Sequence, residues 1–395
     1  MKIIKYCAIL IVLISFYSCT DSQTSEQEQF SFILAADWRY TATEKYSSPI
    51  YARGAFEAIK AVGKGSFMLS PGDVEPVQDS HELIAEILGE EYPWYPIMGN
   101  HELEHPPTLK YLRELNKGGM TLPYIVNKGP VGSEETTFSF DYGNSHFVVL
   151  NQYYDGTSDV GTDGDIVDAL YEWLKNDLNK TNKTHIFVSG HEPIISVPDM
   201  HSGRHRHVGD SLDKYPMNSF RFYQLLMKYD VIAYLHGHTH STSYSTINGL
   251  QQVDCGHARG TESEYPEKVM KDIKTYIEKP ENADLGLEAV LRSFYANKSY
   301  ELKKVMYYMD LTDGVSYKKL PDETGFEILA GFYGEAMSLG TETAEYFQTY
   351  YENWQVNRST FMNFKVYDDH VKVDIYRNTL LDPISYVLTN SFQLN

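Results

Sequence analysis

Cysteine is nearly missing: 3 occur in 395 residues, which excludes a disulfide-built scaffold and a thiolate-rich zinc module. Basic residues are also in short supply. With 34 Lys and Arg against 54 Asp and Glu, the formal net charge is −20. A field of that sign repels polyanions, so an extended nucleic-acid or anionic-membrane surface is excluded. There is no internal repeat, no P-loop and no Gly-x-Gly-x-x-Gly run. Gly (27) and Pro (16) are used at ordinary levels beside 42% hydrophobic residues, which rules out collagen-like, low-complexity or wholly disordered chains. No apolar stretch reaches membrane-spanning length.

What is present begins with an address. Lys2 and Lys5 precede an apolar run from Tyr6 to Tyr17, followed by Ser18 and Cys19. A charged start, a short apolar run and a small residue predict a signal peptide over 1–18. Cys19 then resembles the lipidation cysteine of a bacterial lipoprotein, and the polar residues 19–29 read as a flexible tether. The expected location is the cell envelope, as an outer-membrane or periplasmic lipoprotein that meets the membrane only through its N-terminal lipid. Once Cys19 is modified, Cys255 has no thiol partner and reads as a small buried hydrophobe.

The strongest pattern is a repeated local grammar. Short apolar runs, the mark of strands buried on both faces, stop at a residue able to bind metal. Phe32–Ala36 stops at Asp37, and Phe67–Gly72 at Asp73. Tyr95–Gly99 stops at Asn100-His101-Glu102, Ile186–Gly190 at His191, and Val231–Gly237 at His238-Thr239-His240. Helix-like spacing over Ile50–Val62 and His81–Leu88 separates the first three runs, giving the order expected of βαβ units. In open α/β sheets the ligand site lies beyond the carboxyl ends of the strands, so all five ends are expected on one edge. Gly72, Gly99, Gly190 and Gly237 stand just before four of the ligand positions, where close backbone approach is needed.

Asp37, Gly72-Asp73, Gly99-Asn100-His101-Glu102, Gly190-His191 and Gly237-His238-Thr239-His240 together resemble the motif series of calcineurin-like metallophosphoesterases, the superfamily that includes purple acid phosphatases. The resemblance spans roughly residues 30–259. It implies an α/β fold, a two-sheet β-sandwich flanked by helices, with a two-metal site at the strand ends. It further implies that Asp73 bridges two ions, that Asn100, His191 and His238 hold one, and that Asp37 and His240 hold the other. Such a donor set, without thiolate, suits Mn²⁺, Fe or Zn²⁺ as two divalent or trivalent ions. The implied activity is hydrolysis of phosphate mono- or diesters, small phosphoester substrates rather than nucleic-acid polymers, by a hydroxide shared between the ions. His101 is implied to protonate the leaving oxygen or steady the phosphoryl group. Glu102 reads either as a carboxylate orienting an imidazole such as that of His101 or as a first-turn helix acid.

One position departs from the family. Most members carry Asp-x-His in the first motif, whereas this chain has Asp37-Trp38-Arg39. The tyrosine that purple acid phosphatases place three residues after the second Asp is Pro76 here. Arg has no lone pair to offer a metal. Three outcomes are open: Glu75 completes the shell, one ion is held weakly, or Arg39 binds the phosphate as fixed charge, against a plain salt bridge to a neighbouring acid. A fold-retaining binding protein with an incomplete metal pair is the alternative function. The loop after His191 holds three His and two Arg, and His205 and His207 are its candidate substrate contacts. His236 and His257 are expected to be structural.

The remaining expectations concern organisation. Thr136–Tyr142 and His146–Asn151 read as a hairpin, and Asp165–Leu178 as an amphipathic helix. The catalytic domain is expected over 30–259 and an inserted, partly helical subdomain or lid over 260–355. Strands in 356–395 then complete the core, starting with a hairpin through Asp368-Asp369.

Overall fold

Strand β1 (Phe30–Leu34) shows how the apolar runs sort themselves into layers. Alternate residues of a strand face opposite ways: Phe30, Phe32 and Leu34 enter one core, while Ile33 and Ala35, the latter just past the strand, enter another. The computed structural model from which this follows describes residues 27–40, 48–161, 163–197, 206–207, 209–247, 249–260, 275–276, 278–285, 359–379 and 382–395.

Among the described residues two mixed sheets form. The remaining strands are β2 (Met68–Ser70), β3 (Trp94–Pro96), β4 (Ile125–Lys128), β5 (Phe138–Tyr142), β6 (Ser145–Val149), β7 (His185–Ser189), β8 (Ala233–His236), β9 (Thr242–Ile247), β10 (Leu250–Cys255), β11 (Thr360–Val366), β12 (Val371–Thr379) and β13 (Asp382–Leu394). One sheet runs β13-β12-β11-β1-β2-β3 and the other β4-β5-β6-β7-β8-β10-β9. Strands β1, β2 and β3 are mutually parallel, as are β6, β7 and β8.

The expected hairpin at Thr136–Asn151 is the antiparallel pair β5–β6. That through Asp368-Asp369 is β11–β12, and β11 lies antiparallel to β1 from Phe30↔Val366 to Leu34↔Met362.

Aromatic rings fill the space between the sheets. Phe32 stacks on Phe364 with centroids 4.7 Å apart and meets Phe147 edge-on at 5.2 Å, and Phe147 stacks on Phe187 at 5.0 Å. Each such pair adds about 0.5–1.5 kcal/mol to the area it buries. The outer faces are covered by helices α1 (Ser48–Val62), α2 (Val77–Leu88), the single turn α3 (Asn100–Leu103), α4 (Pro106–Leu115), α5 (Asp168–Leu178) and α6 (Pro216–Lys228). Phe56, Ile59, Leu83, Ile84 and Leu109 from α1, α2 and α4 pack on the six-stranded sheet. Leu170, Leu174, Phe222 and Leu226 from α5 and α6 pack on the seven-stranded sheet. The result is the helix-flanked two-sheet sandwich of an α/β protein.

This arrangement corrects the expectation of one edge. The five ligand-bearing ends are divided, with Asp37, Asp73 and Asn100 following β1–β3 in one sheet and His191 and His238 following β7 and β8 in the other. The predicted segments 1–18 and most of 19–29 and 260–355 lie outside the described residues, as does Cys19. No described helix is long and apolar enough to cross a membrane.

Candidate metal and phosphoester site

The facing rims of the two sheets are joined by backbone and side chain. Asp37 accepts the His238 N–H at 3.2 and 3.1 Å through its two oxygens, bridging 201 positions of sequence. Within each rim, Arg39 N–H donates to the Asp73 carbonyl at 2.9 Å, and Gly237 N–H to that of His191 at 3.1 Å. Asp37, Asp73, His238 and His240 all have positive φ, of 57°, 54°, 71° and 55°. Left-handed backbone is uncommon for residues with a Cβ, and its gathering at one spot marks a locally strained, over-determined site. The preceding glycines leave the room this crowding needs. A Cβ on Gly72, whose φ is +87°, would stand 2.5 Å from His191 Nδ1, and one on Gly237 would stand 2.2 Å from Asp37 Oδ2.

His191 organises the first donor group. Its Nδ1–H donates to the Pro71 carbonyl at 2.6 Å, so Nε2 carries the lone pair. Around Nε2 stand Asn100 Oδ1 at 3.1 Å, His238 Nδ1 at 3.1 Å and Asp73 Oδ1 at 3.4 Å. With His238 in the tautomer that leaves Nδ1 unprotonated, these four residues bring lone pairs to one point and fit a metal ion. The mixture of imidazole, carboxamide and carboxylate suits a borderline or hard divalent ion.

Asp37, Asp73 and His240 form the second group, with one donor atom from each lying within 4.8 Å of the others, and all three residues are buried. Burial, Asp73 and Asp254 push the Asp37 carboxyl well above its ordinary range. Such mutual destabilisation of carboxylates is what a bound cation reverses. His240 Nε2 is 3.4 Å from Asp37 Oδ1, but its Nδ1 accepts from Arg259 at 3.0 Å and also meets Arg206. The guanidinium contacts fix the lone pair on Nδ1, so this imidazole is less ready than His191 to give Nε2 to a metal. Arg206 belongs to the His- and Arg-rich loop singled out in the sequence, whereas Arg259 was missed. Arg259 follows β10, whose interior Gln251, Gln252 and Asp254 hide the apolar signature that revealed the other strands.

Arg39 satisfies parts of two expectations. Its Nε donates to Glu75 Oε1 at 2.6 Å and Nη1 to His101 Nε2 at 3.0 Å, with 29% of the side chain exposed. Glu75 is therefore engaged by Arg39 and stands outside the Asp37–Asp73–His240 group, correcting its candidacy as the replacement ligand. His101 donates Nδ1–H to Glu104 Oε2 at 2.7 Å and accepts from Arg39 at Nε2. That is a neutral imidazole whose Nε2 carries no proton to give in this arrangement. Glu104, five residues past the motif glycine, is a second partner that the motif reading did not single out.

Glu102 takes the second of its two readings, an acid in the first turn of α3. It touches no imidazole. Its fully buried carboxylate accepts from Asp73 N at 2.9 Å, Val74 N at 2.7 Å and Gly99 N at 2.6 Å. The turn that presents Asp73 is thereby clamped to the turn that presents Asn100. Gly99, not Asn100, precedes the first turn of α3. His236 and His257 are buried as expected, and Cys255 is a buried thiol.

Beside the first donor group opens a cavity of about 440 Å³, with Asn100 and His238 at its inner end and Glu104, Asp163, Glu192, Asp210 and Lys214 on its walls. His207 also lines it, its ring 4.0 Å from that of His238. His205 lies outside the described residues. Burial, opposed by the Tyr153 hydroxyl and aided by Asp213, Asp210 and Asp163, pushes Glu192 up to about 8, so it keeps a proton at neutral pH unless a cation sits beside it.

Comparison with known proteins agrees with this geometry. Residues 38–242, more than half of the chain, match the family model described as calcineurin-like phosphoesterase. Over 182 residues the chain is 25% identical to purple acid phosphatase 22 of Arabidopsis thaliana, covering 44% of this chain and 37% of that protein. Over 200 residues it is 26% identical to purple acid phosphatase 21 of the same plant, covering 48% and 41%. The chain thus spans about two fifths of the length of these curated relatives. Among solved structures, one described as the structure of PhoD is similar in fold, with a TM-score of 0.50 at 12% identity over 93% of this chain and 70% of that one.

Proposed function

Because the chain belongs to the calcineurin-like phosphoesterase family, we propose that it is a metal-dependent hydrolase of small phosphate mono- or diesters. The observation that carries this reading is the convergence of Asn100, His238 and Asp73 on the lone pair of His191. Asp73 is placed to serve both donor groups, since it belongs to the set with Asp37 and His240 as well. Ions bound there would supply an acidified water and positive charge facing the phosphoryl oxygens.

The protein's own residues do the rest. Pro71 fixes the tautomer of His191, and Glu102 fixes the backbone that carries Asp73. Arg39, anchored by Glu75, holds a permanent positive charge at the mouth of the site and is suited to bind a phosphoryl oxygen. His101, oriented by Glu104, stands beside that charge. Once Arg39 turns from the His101 Nε2 to the substrate, that nitrogen can take a proton from solvent and pass it to the leaving oxygen.

The test is turnover of aryl phosphate mono- and diesters by purified protein stripped with chelator and reloaded with Mn²⁺, Fe or Zn²⁺, with Asp73→Asn alongside. Turnover restored by metal and lost in the variant supports the reading, while inactivity with every metal rejects it and leaves a phosphate-binding protein. For location, the signal-like residues 1–18 and Cys19 support a lipid-anchored envelope protein. Mass spectrometry of the mature N-terminus decides this, since an unmodified Cys19 contradicts it.

A further inference from the structure

We infer that the cavity beside the donor atoms is a leaving-group subsite selective for alcohols that carry an amine. The inference rests on the phosphoester reading above and adds the substrate class to it. Asn100 and His238 line the inner end of the cavity, so a phosphoryl group held at those residues directs its ester substituent into the space. Four acidic side chains border that space, from Glu104, Asp163, Glu192 and Asp210. The lysine on its wall, Lys214, is already joined to Asp163 Oδ2 at 3.0 Å. An anionic substituent would meet uncompensated like charge there, whereas an ammonium would be drawn in.

Glu192 gives the subsite its specific contact. It is only 5% exposed. Its Oε1 accepts from the Tyr153 hydroxyl at 2.8 Å, while Oε2 has no hydrogen-bond partner among the described residues and lines the cavity. An oxygen left open to the cavity in this way can take a donor from a ligand. The position is built for it. A Cβ on Gly164 would stand 2.3 Å from the Glu192 carboxyl carbon and 2.4 Å from Oε2, so only glycine leaves the carboxylate in place. A metal ion is a poorer occupant than an organic ammonium. Neither donor group, Asp37–Asp73–His240 nor the set around His191, includes any of the four wall acids. Leu103 and the Tyr153 ring supply apolar surface for the carbon chain.

The experiment compares three phosphomonoesters of nearly equal size, 2-aminoethyl phosphate, 2-hydroxyethyl phosphate and carboxymethyl phosphate, at one pH. Turnover is measured on the metal-loaded protein and binding by calorimetry on the same protein. The amine is expected to lead the hydroxyl in kcat/KM and in affinity by about tenfold, the effect of one charge-assisted hydrogen bond, with the carboxylate last. Glu192→Gln and Gly164→Ala are expected to bring the amine-to-hydroxyl ratio close to one. Asp210→Asn, at an exposed position, should lower it about twofold. Equal rates for all three esters, or a preference for the carboxylate, would overturn the subsite while leaving the hydrolase standing. Absence of turnover rejects the hydrolase reading instead, and the binding order then decides the subsite: amine first upholds it, no order overturns it.

Discussion

Replacing Glu102 by Gln removes one charge and one acceptor from the centre of the molecule with almost no change of shape. Glu102 Oε2 takes the N–H groups of Asp73 and Gly99, and Oε1 that of Val74. A glutamine can place its oxygen where it keeps the first two, and its amide NH₂ then faces the Val74 N–H, donor against donor. The loss of one charge-assisted bond and the stranding of a buried N–H together cost about 2–4 kcal/mol. That is a large share of the roughly 5–15 kcal/mol that stabilises a typical domain. Urea unfolding of the metal-free protein measures it directly, since bound ions would add their own stabilisation. Metal titration should also show weaker binding in the variant, because the turn carrying Asp73 loses its clamp. Burial and Asp73 both push the Glu102 carboxyl upward. If the group were protonated in the folded protein, glutamine would imitate it, and a change below about 0.5 kcal/mol would refute the reasoning.

Three further outcomes are expected. Arg39→His supplies the imidazole usual in the first motif and should tighten binding of a second ion by about tenfold, read from metal content against a competing chelator. It also strands buried Glu75 at a cost of about 1–3 kcal/mol, discounted for the part-exposed guanidinium, and unchanged metal affinity would show that the place is already filled. Gly237→Ala should destabilise by about 1–3 kcal/mol and deplete bound metal, since the new methyl would displace the Asp37 carboxylate, and a fully metallated, equally stable variant contradicts the crowding. His146 is one pH-sensitive element of the fold. Burial opposes its charge, but hydrogen bonds to Asp177 at 3.0 Å and Asp141 at 2.7 Å prevail and raise its pKa above the ordinary imidazole value. Its contribution is therefore complete below about pH 6.5 and fades as pH rises through the folded pKa. The difference in unfolding free energy between wild type and His146→Gln should shrink across that window, and a difference constant with pH would count against the charged imidazole.

Much of this architecture is legible in the sequence because strands buried on both faces announce themselves as short apolar runs. Phe32–Ala36 and Ile186–Gly190 lie at β1 and β7, and the glycines before the donors mark real crowding. The division of the donors between two sheets is not legible in local pattern, since β1 and β8 look alike until their partners are known. Strand β10 escaped notice because its interior carries Gln251, Gln252 and Asp254, and with it went Arg259. Glu102 is left open between two readings by the sequence for a different reason. Its neighbour in sequence is an imidazole, but the first turn of α3 aims the carboxylate backward at the N–H groups of Gly99, Asp73 and Val74. Glu104, three residues from His101 and one helical turn along, is the carboxylate that reaches the ring.

The separation of Asp37 from His238 by 201 positions bears on when a metal can be captured. Neither half of the chain owns a complete set of donors, so an unfolded chain has no local trap for an ion, and capture waits until both sheets have closed on each other. An ion taken up there acts as a rivet between two layers otherwise held mainly by stacked phenylalanines. At a free concentration a hundred times its dissociation constant it would reinforce that seam by about 2.7 kcal/mol. Starving the protein of metal would then loosen the sandwich along the very rim where the chemistry is performed.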